Sequence, residues 1–338
     1  MKKIKVICVL LLTAALLLSG CGAGNKSNYG KVVAATYGDR TIYLDEANFW
    51  LRAQELDYSY LISIYNQLYG VDAAGFWAGD SGRRAQTYAE SMKEDIMAEF
   101  RQINILLDHA AEYNAELTAD EMAKIDKSMA DMKANYSNHL FSESVIGNYS
   151  DDALKQSLIN RTKALKVWDA VRNQAQTTVT DEECKSFTVR FFRFDDSANV
   201  KDGDNTVTGA AIADLLENAM KDGKSFDDLK SSYNSLYYST ESFRYRDSDN
   251  TTALYKECRD LTKGQFKQFT DTSGESPIHY VAECVSEDDK AAAANIRQEL
   301  ESVQKEDYFE KIFAEWQKAA KPFSVKSAFS SLPVPDNK

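Results

Sequence analysis

The carboxyl-terminal end of the chain carries the strongest constraint on its fold. Residues 286–320 read as one long amphipathic helix carrying Ile296, Leu300, Val303, Tyr308, Ile312, Phe313 and Trp316, and Pro322 stops the run. A helix of this length with an apolar face has to bury that face. The helices able to receive it lie at the far end of the chain. The fold to expect is therefore one in which both ends pack together around whatever lies between them.

The amino-terminal half supplies the partner. Residues 32–37 and 41–43, around Gly38-Asp39-Arg40, read as two short strands joined by a turn. Asp45 is placed to cap a helix carrying Phe49, Trp50, Leu51, Tyr58, Leu61, Ile62, Tyr65 and Leu68, which residues 70–82 interrupt. A second long helix runs from about Arg83 to Tyr113. Thr118, with Glu121 three residues on, opens a third by a capping box, and Ser150-Asp151-Asp152 opens a fourth.

The pattern changes after Gln176. Thr180 starts a short helix, and residues 188–194 are dense in β-formers and read as a strand. A polar loop follows to Thr208. Helices are expected over 210–221 and from Ser225 to Tyr233, then a polar, aromatic stretch over 234–250 and a short helix over 252–261. Residues 278–285 form a second strand. The class is mostly α with an α+β insert.

Composition narrows the partners. With 40 basic against 52 acidic residues the net charge is −12, which repels nucleic acid and anionic lipid. No glycine-rich phosphate loop occurs, and His109, His139 and His279 are scattered, so neither a cofactor nor a metal is expected. Beyond Cys8 and Cys21 there remain Cys184, Cys258 and Cys284, an odd number that cannot form a complete disulfide framework.

Lys2, Lys3 and Lys5 precede an apolar run over residues 7–18, too short to span a bilayer as a mature helix, and then Leu18-Ser19-Gly20-Cys21. This segment resembles a bacterial lipobox. The resemblance implies a signal peptide over 1–20, acylation of Cys21, and a flexible tether over 21–30. The chain would then sit at the outer face of the bacterial cytoplasmic membrane.

The insert, residues 179–286, resembles a parvulin-type peptidyl-prolyl isomerase domain. The likeness rests on Gly223-Lys224-Ser225-Phe226-Asp227-Asp228-Leu229, on Leu261-Thr262-Lys263-Gly264-Gln265 and on Ile278-His279-Tyr280-Val281. The front, from Val32 to Arg52, is similar to the start of SurA- and PrsA-type chaperone domains. Residues 31–178 then form a SurA-like helical chaperone module, completed by the helix and tail of 287–338. The resemblance makes His279 the catalytic candidate. It places Arg193 where the family has its first histidine, and Asn234-Ser235-Leu236-Tyr237-Tyr238 where the family turns on paired glycines. It also puts the first and last strands side by side, which permits a Cys184–Cys284 disulfide beside the alternative of separate buried thiols.

The implied function is a membrane-anchored foldase that binds unfolded exported polypeptides, with weak or absent isomerase activity. The alternatives are an active isomerase and a solute-binding lipoprotein. The client-binding residues are not assigned by this reading. Tyr58, Tyr60, Tyr65, Tyr69 and Trp77 are one candidate groove, with part of the set required by the core. Met122, Met129 and Met132 read as core at helical spacing, with an adaptable binding surface as the other reading.

Overall fold

In a computed structural model of the protein, residues 26–83, 86–136, 140, 149–247 and 250–334 are described. The lipobox, Cys21 and His139 lie outside them. Residues 1–175 with 307–338 make one compact unit, and 176–306 make a second.

The first unit opens with a hairpin, β1 (Val33–Tyr37) and β2 (Arg40–Tyr43). Gly38 turns it at φ +57°, and a Cβ there would meet the Lys321 side chain at 2.7 Å, so glycine is required twice over. Helices α1 (Leu44–Asp57), α2 (Ser59–Tyr69) and α3 (Ala73–Ala78) follow. A small hairpin, β3 (Asp80–Arg83) and β4 (Gln86–Thr87), leads to α4 (Tyr88–Asp108), α5 (Ala119–Tyr136) and α6 (Asp151–Arg172).

Several boundaries differ from the sequence reading for local reasons. Asp45 does not cap α1; Tyr43 holds that position, and the Asp45 carboxylate accepts from the Glu46 N–H within the first turn. The single helix expected through Leu68 is two, broken at Tyr58, whose N–H turns back to Glu55. The second long helix starts at Tyr88 because Thr87 and Glu90 form a full capping box. The caps at Thr118 and Ser150 stand where the sequence places them.

The second unit runs through α7 (Asp181–Cys184), β5 (Ser186–Asp195), β6 (Asn199–Asp202), β7 (Asn205–Thr208), α8 (Ala210–Lys221) and α9 (Phe226–Ser232). Then come β8 (Tyr237–Arg244), α10 (Ala253–Cys258), β9 (Phe266–Asp271), β10 (Ile278–Ser286) and α11 (Lys290–Ala319). Its sheet has the order β8-β5-β10-β9, all antiparallel. The central pair, β5 and β10, is covered on both faces. Phe192, Phe194 and Val281 pack under α8 and α9, while Phe187, Val189, Phe191 and Ala282 pack under α10. The β6–β7 hairpin falls in a stretch read from sequence as loop, β8 in one read only as polar and aromatic, and β9 in one given no element. Their exposed positions are polar, which hides the strand pattern.

The chain ends in the first unit. Phe309 and Phe313 of α11 pack with Ile103, Leu106, Val167 and Val171. Strand β11 (Phe323–Val325) then adds to β1, giving a sheet of order β11-β1-β2. After it, α12 (Ser327–Ser330) seats Phe329 in the core beside α1, followed by Leu332. Arg52, only 4% exposed, holds this tail: its Nη2 donates to the Pro333 carbonyl at 2.7 Å, Nη1 to Glu55 and Nε to Asn48. Arg52→Ala should lower the stability of this unit by about 3 kcal/mol, because it strands buried acceptors. Arg52→Lys should recover only part, since one ammonium cannot reproduce the planar fork. Urea unfolding followed by tryptophan fluorescence reads both; an unchanged midpoint for Arg52→Ala would show that the tail does not depend on this residue.

Candidate functional site

His279 lies on β10, opposite Phe194 on β5 and Thr270 on β9. It is 5% exposed. Its Nε2 bonds the Asp196 carboxylate at 2.8 Å, and its Nδ1 bonds the Thr270 hydroxyl at 2.9 Å. A carboxylate only accepts, so Nε2 carries a proton, and in the neutral ring the threonine hydroxyl donates to Nδ1. Asp196 begins the loop after β5, and its backbone presses on Gly209, the residue before α8. Gly209 has φ +52°, and a Cβ there would stand 3.2 to 3.4 Å from Asp196 atoms. The imidazole thus ties together a central strand, an edge strand and the loop leading to α8, with both ring nitrogens engaged.

The second expected participant is elsewhere. The register pairs Arg193 with Tyr280, and side chains alternate along a strand, so Arg193 and His279 project from opposite faces of the sheet. Across from His279 stands Phe194, with ring centroids 5.7 Å apart. Arg193 is exposed beside Tyr280 and therefore does not replace a histidine at the His279 site. In the segment after α9, Tyr233 and Leu236 are buried with Phe226 and Leu229, and Tyr237 and Tyr238 begin the edge strand β8. Residues 234–238 thus pass straight into a strand in place of a glycine turn.

The Cys184–Cys284 disulfide is corrected. Cys284 pairs with Val189, three residues along β5 from Ser186. That offset is about 10 Å at the strand rise of ~3.3 Å per residue, beyond the ~7 Å that bridged Cα atoms tolerate. Cys184 lies before Ser186 again, in α7. Cys184, Cys258 and Cys284 are free and buried. Burial raises the Cys284 thiol pKa and pushes that of Cys258 up to about 12. All three thiols should resist an aqueous thiol reagent in the native protein and react fully in denaturant. A native-state mass showing rapid labelling at Cys258 would contradict this burial.

The aromatic set of the first unit divides in two. Trp77 is core, 2% exposed, and Tyr58 and Tyr65 are half-buried against Trp77 and Phe76 at ring distances of 5.2 and 5.3 Å. Tyr60 and Tyr69 are exposed at 73% and 69%, and Leu68 joins them at 67%. None of the residues of α2 is fully buried. Its inner side, Leu61, Ile62 and Tyr65, leans on the core. Tyr60 and Leu68, at i and i+8, are exposed, and Ile64 between them at i+4 is half-buried. The sequence names Leu68 among the apolar residues of this helix without giving it a face. The apolar side of α2 is wide, holding Tyr60, Leu61, Ile62, Ile64, Tyr65, Leu68 and Tyr69, while Ser59, Ser63, Asn66 and Gln67 share the polar face. Met122, Met129 and Met132 are half-buried, the latter two against the core, as their core reading expects.

Among the described residues no helix is long and apolar enough to cross a membrane, and no group of three or more His, Cys, Asp or Glu side chains is arranged to hold a metal ion.

No protein-family model matches this chain, and no curated protein matches it. Solved structures do. The foldase protein PrsA from Lactococcus lactis is 16% identical with a TM-score of 0.35, over 88% of this chain and 97% of that one. PrsA from Streptococcus pneumoniae is 14% identical with a TM-score of 0.34, over 74% and 90%. A structure described with the SurA-like chaperones PEB4 and Cj1289 of Campylobacter jejuni is 10% identical with a TM-score of 0.28, over 87% and 99%. TM-scores this low carry no functional argument, so the function is read from the chain's own residues.

Proposed function

We propose that this chain is a membrane-anchored, extracytoplasmic foldase of the PrsA and SurA type, which holds unfolded exported polypeptides and has weak or absent prolyl isomerase activity. The observation that carries the reading is α2, whose Tyr60, Leu68 and Tyr69 are exposed, with Ile64 half-buried between them, while Leu61, Ile62 and Tyr65 lean on the core. An unfolded segment laid on this stripe buries aromatic and aliphatic side chains, each worth roughly 1.5–3 kcal/mol when fully covered. Ordering the segment offsets much of that gain. The net is weak, reversible holding, and release needs no nucleotide. Cys21, through the lipobox, supplies the anchor, and residues 21–30 the tether.

The isomerase reading is weaker for a physical reason. Rotation about a prolyl bond is opposed by amide resonance, of the order of 18–20 kcal/mol for peptide bonds in general. A catalyst has to bind the twisted amide better than the planar one. His279 has both nitrogens occupied within the fold, and its neighbour across the strand is Phe194.

Two measurements test the proposal. Tyr60→Ser with Leu68→Ser should abolish most suppression of aggregation of a denatured test protein while leaving the unfolding midpoint within about 0.5 kcal/mol of wild type, as expected for exposed sites; full suppression by the double variant would remove α2 as the client surface. Turnover of a proline peptide should stay near background and be unaffected by His279→Ala. A rate well above background that falls in His279→Ala would establish the active isomerase instead.

A further inference from the structure

The exposed apolar stripe of α2 sits in a segment of one sign of charge. Between Ala53 and Gly82 the chain holds Glu55, Asp57, Asp72 and Asp80 and no lysine or arginine. Glu55 is engaged by Arg52. The bases that follow are Arg83, which is paired with Asp95 at 2.8 Å, and Arg84, which lies outside the described residues. Asp57 stands two residues before α2 and Asp72 three residues after its end, both exposed. The Asp72 carboxylate accepts from the Gly75 N–H at 2.8 Å.

An eleven-residue helix is about 16 Å long, so every position on the stripe lies within about a Debye length of one acidic end at physiological salt. An apolar strip with a carboxylate at each end is complementary to an apolar segment with cations at its flanks. It repels one with acidic flanks, and it repels an anionic lipid surface.

Resting on the foldase reading above, we infer that the α2 surface selects its clients by charge as well as hydrophobicity: it takes unfolded apolar segments flanked by lysine or arginine. Asp57 and Asp72 act as the selecting groups, and Tyr60, Ile64 and Leu68 as the sequence-tolerant contact.

The test uses the full chain and two labelled peptides with the same apolar core of leucine and phenylalanine, one flanked by lysines and one by glutamates. Binding is followed by fluorescence anisotropy. At about 20 mM salt the lysine-flanked peptide should bind at least about tenfold more tightly, and the preference should shrink severalfold at about 300 mM, where the Debye length is about a quarter of its value at 20 mM. Asp57→Asn with Asp72→Asn should bring the ratio close to one. Asparagine is itself a good helix cap, so the start of α3 is kept. Tyr60→Ser with Leu68→Ser should weaken both peptides together. Equal affinity of the two peptides for the native protein overturns charge selection and leaves the foldase reading standing. Binding of both peptides unaffected by Tyr60→Ser with Leu68→Ser overturns the assignment of the surface itself.

Discussion

The grip of Arg52 on the end of the chain is the interaction on which the first unit depends. A guanidinium that is 4% exposed satisfies three donors at once, on Pro333, Glu55 and Asn48, and one of these acceptors is 281 residues away in sequence. A buried charge left unpaired is costly, so the tail and α1 stay together or the arginine has to be resolvated. Because the tail is held, β11 can pair with β1 and Phe329 can fill the core over α1. That core, with Phe76 and Trp77 in it, is the floor on which the inner side of α2 rests. The exposed stripe is presented as a rigid surface because its opposite side is anchored.

In the second unit a buried histidine plays a comparable part. Tied to Asp196 and Thr270, His279 joins a loop and an edge strand to the centre of the sheet, and Gly209 allows the loop to approach. The candidate site residue of the sequence is thus also a structural tie, with both ring nitrogens bonded inside the unit.

An exposed apolar helix is a liability for solubility. In this chain it lies within a strongly acidic protein and between acidic residues of its own segment. Net negative charge keeps copies apart. Under the charge selection proposed for α2, the same acidic residues that keep copies apart would also set which unfolded segments approach it.

Much of the architecture was legible in residue patterns. The capping boxes at Thr118 and Thr180, the cap at Ser150, helix 210–221 and the strands around residues 188–194 and 278–285 are local facts. Each depends on neighbours within a few positions, and the structure has them in place. The edge strands β8 and β9 were not legible, because a strand exposed on one face carries polar residues that hide the strand pattern. Register was not legible either. Only the pairing of Arg193 with Tyr280 shows that Arg193 and His279 face apart, and only the pairing of Cys284 with Val189 places Cys184 out of reach. The same holds for α2: its hydrophobicity is written in the sequence, but which of its apolar residues turn outward was decided by the core it packs against. Local propensity depends on near neighbours and is readable along the chain. Faces, registers and exposure are set by contacts between distant residues, and those exist only once the chain has folded.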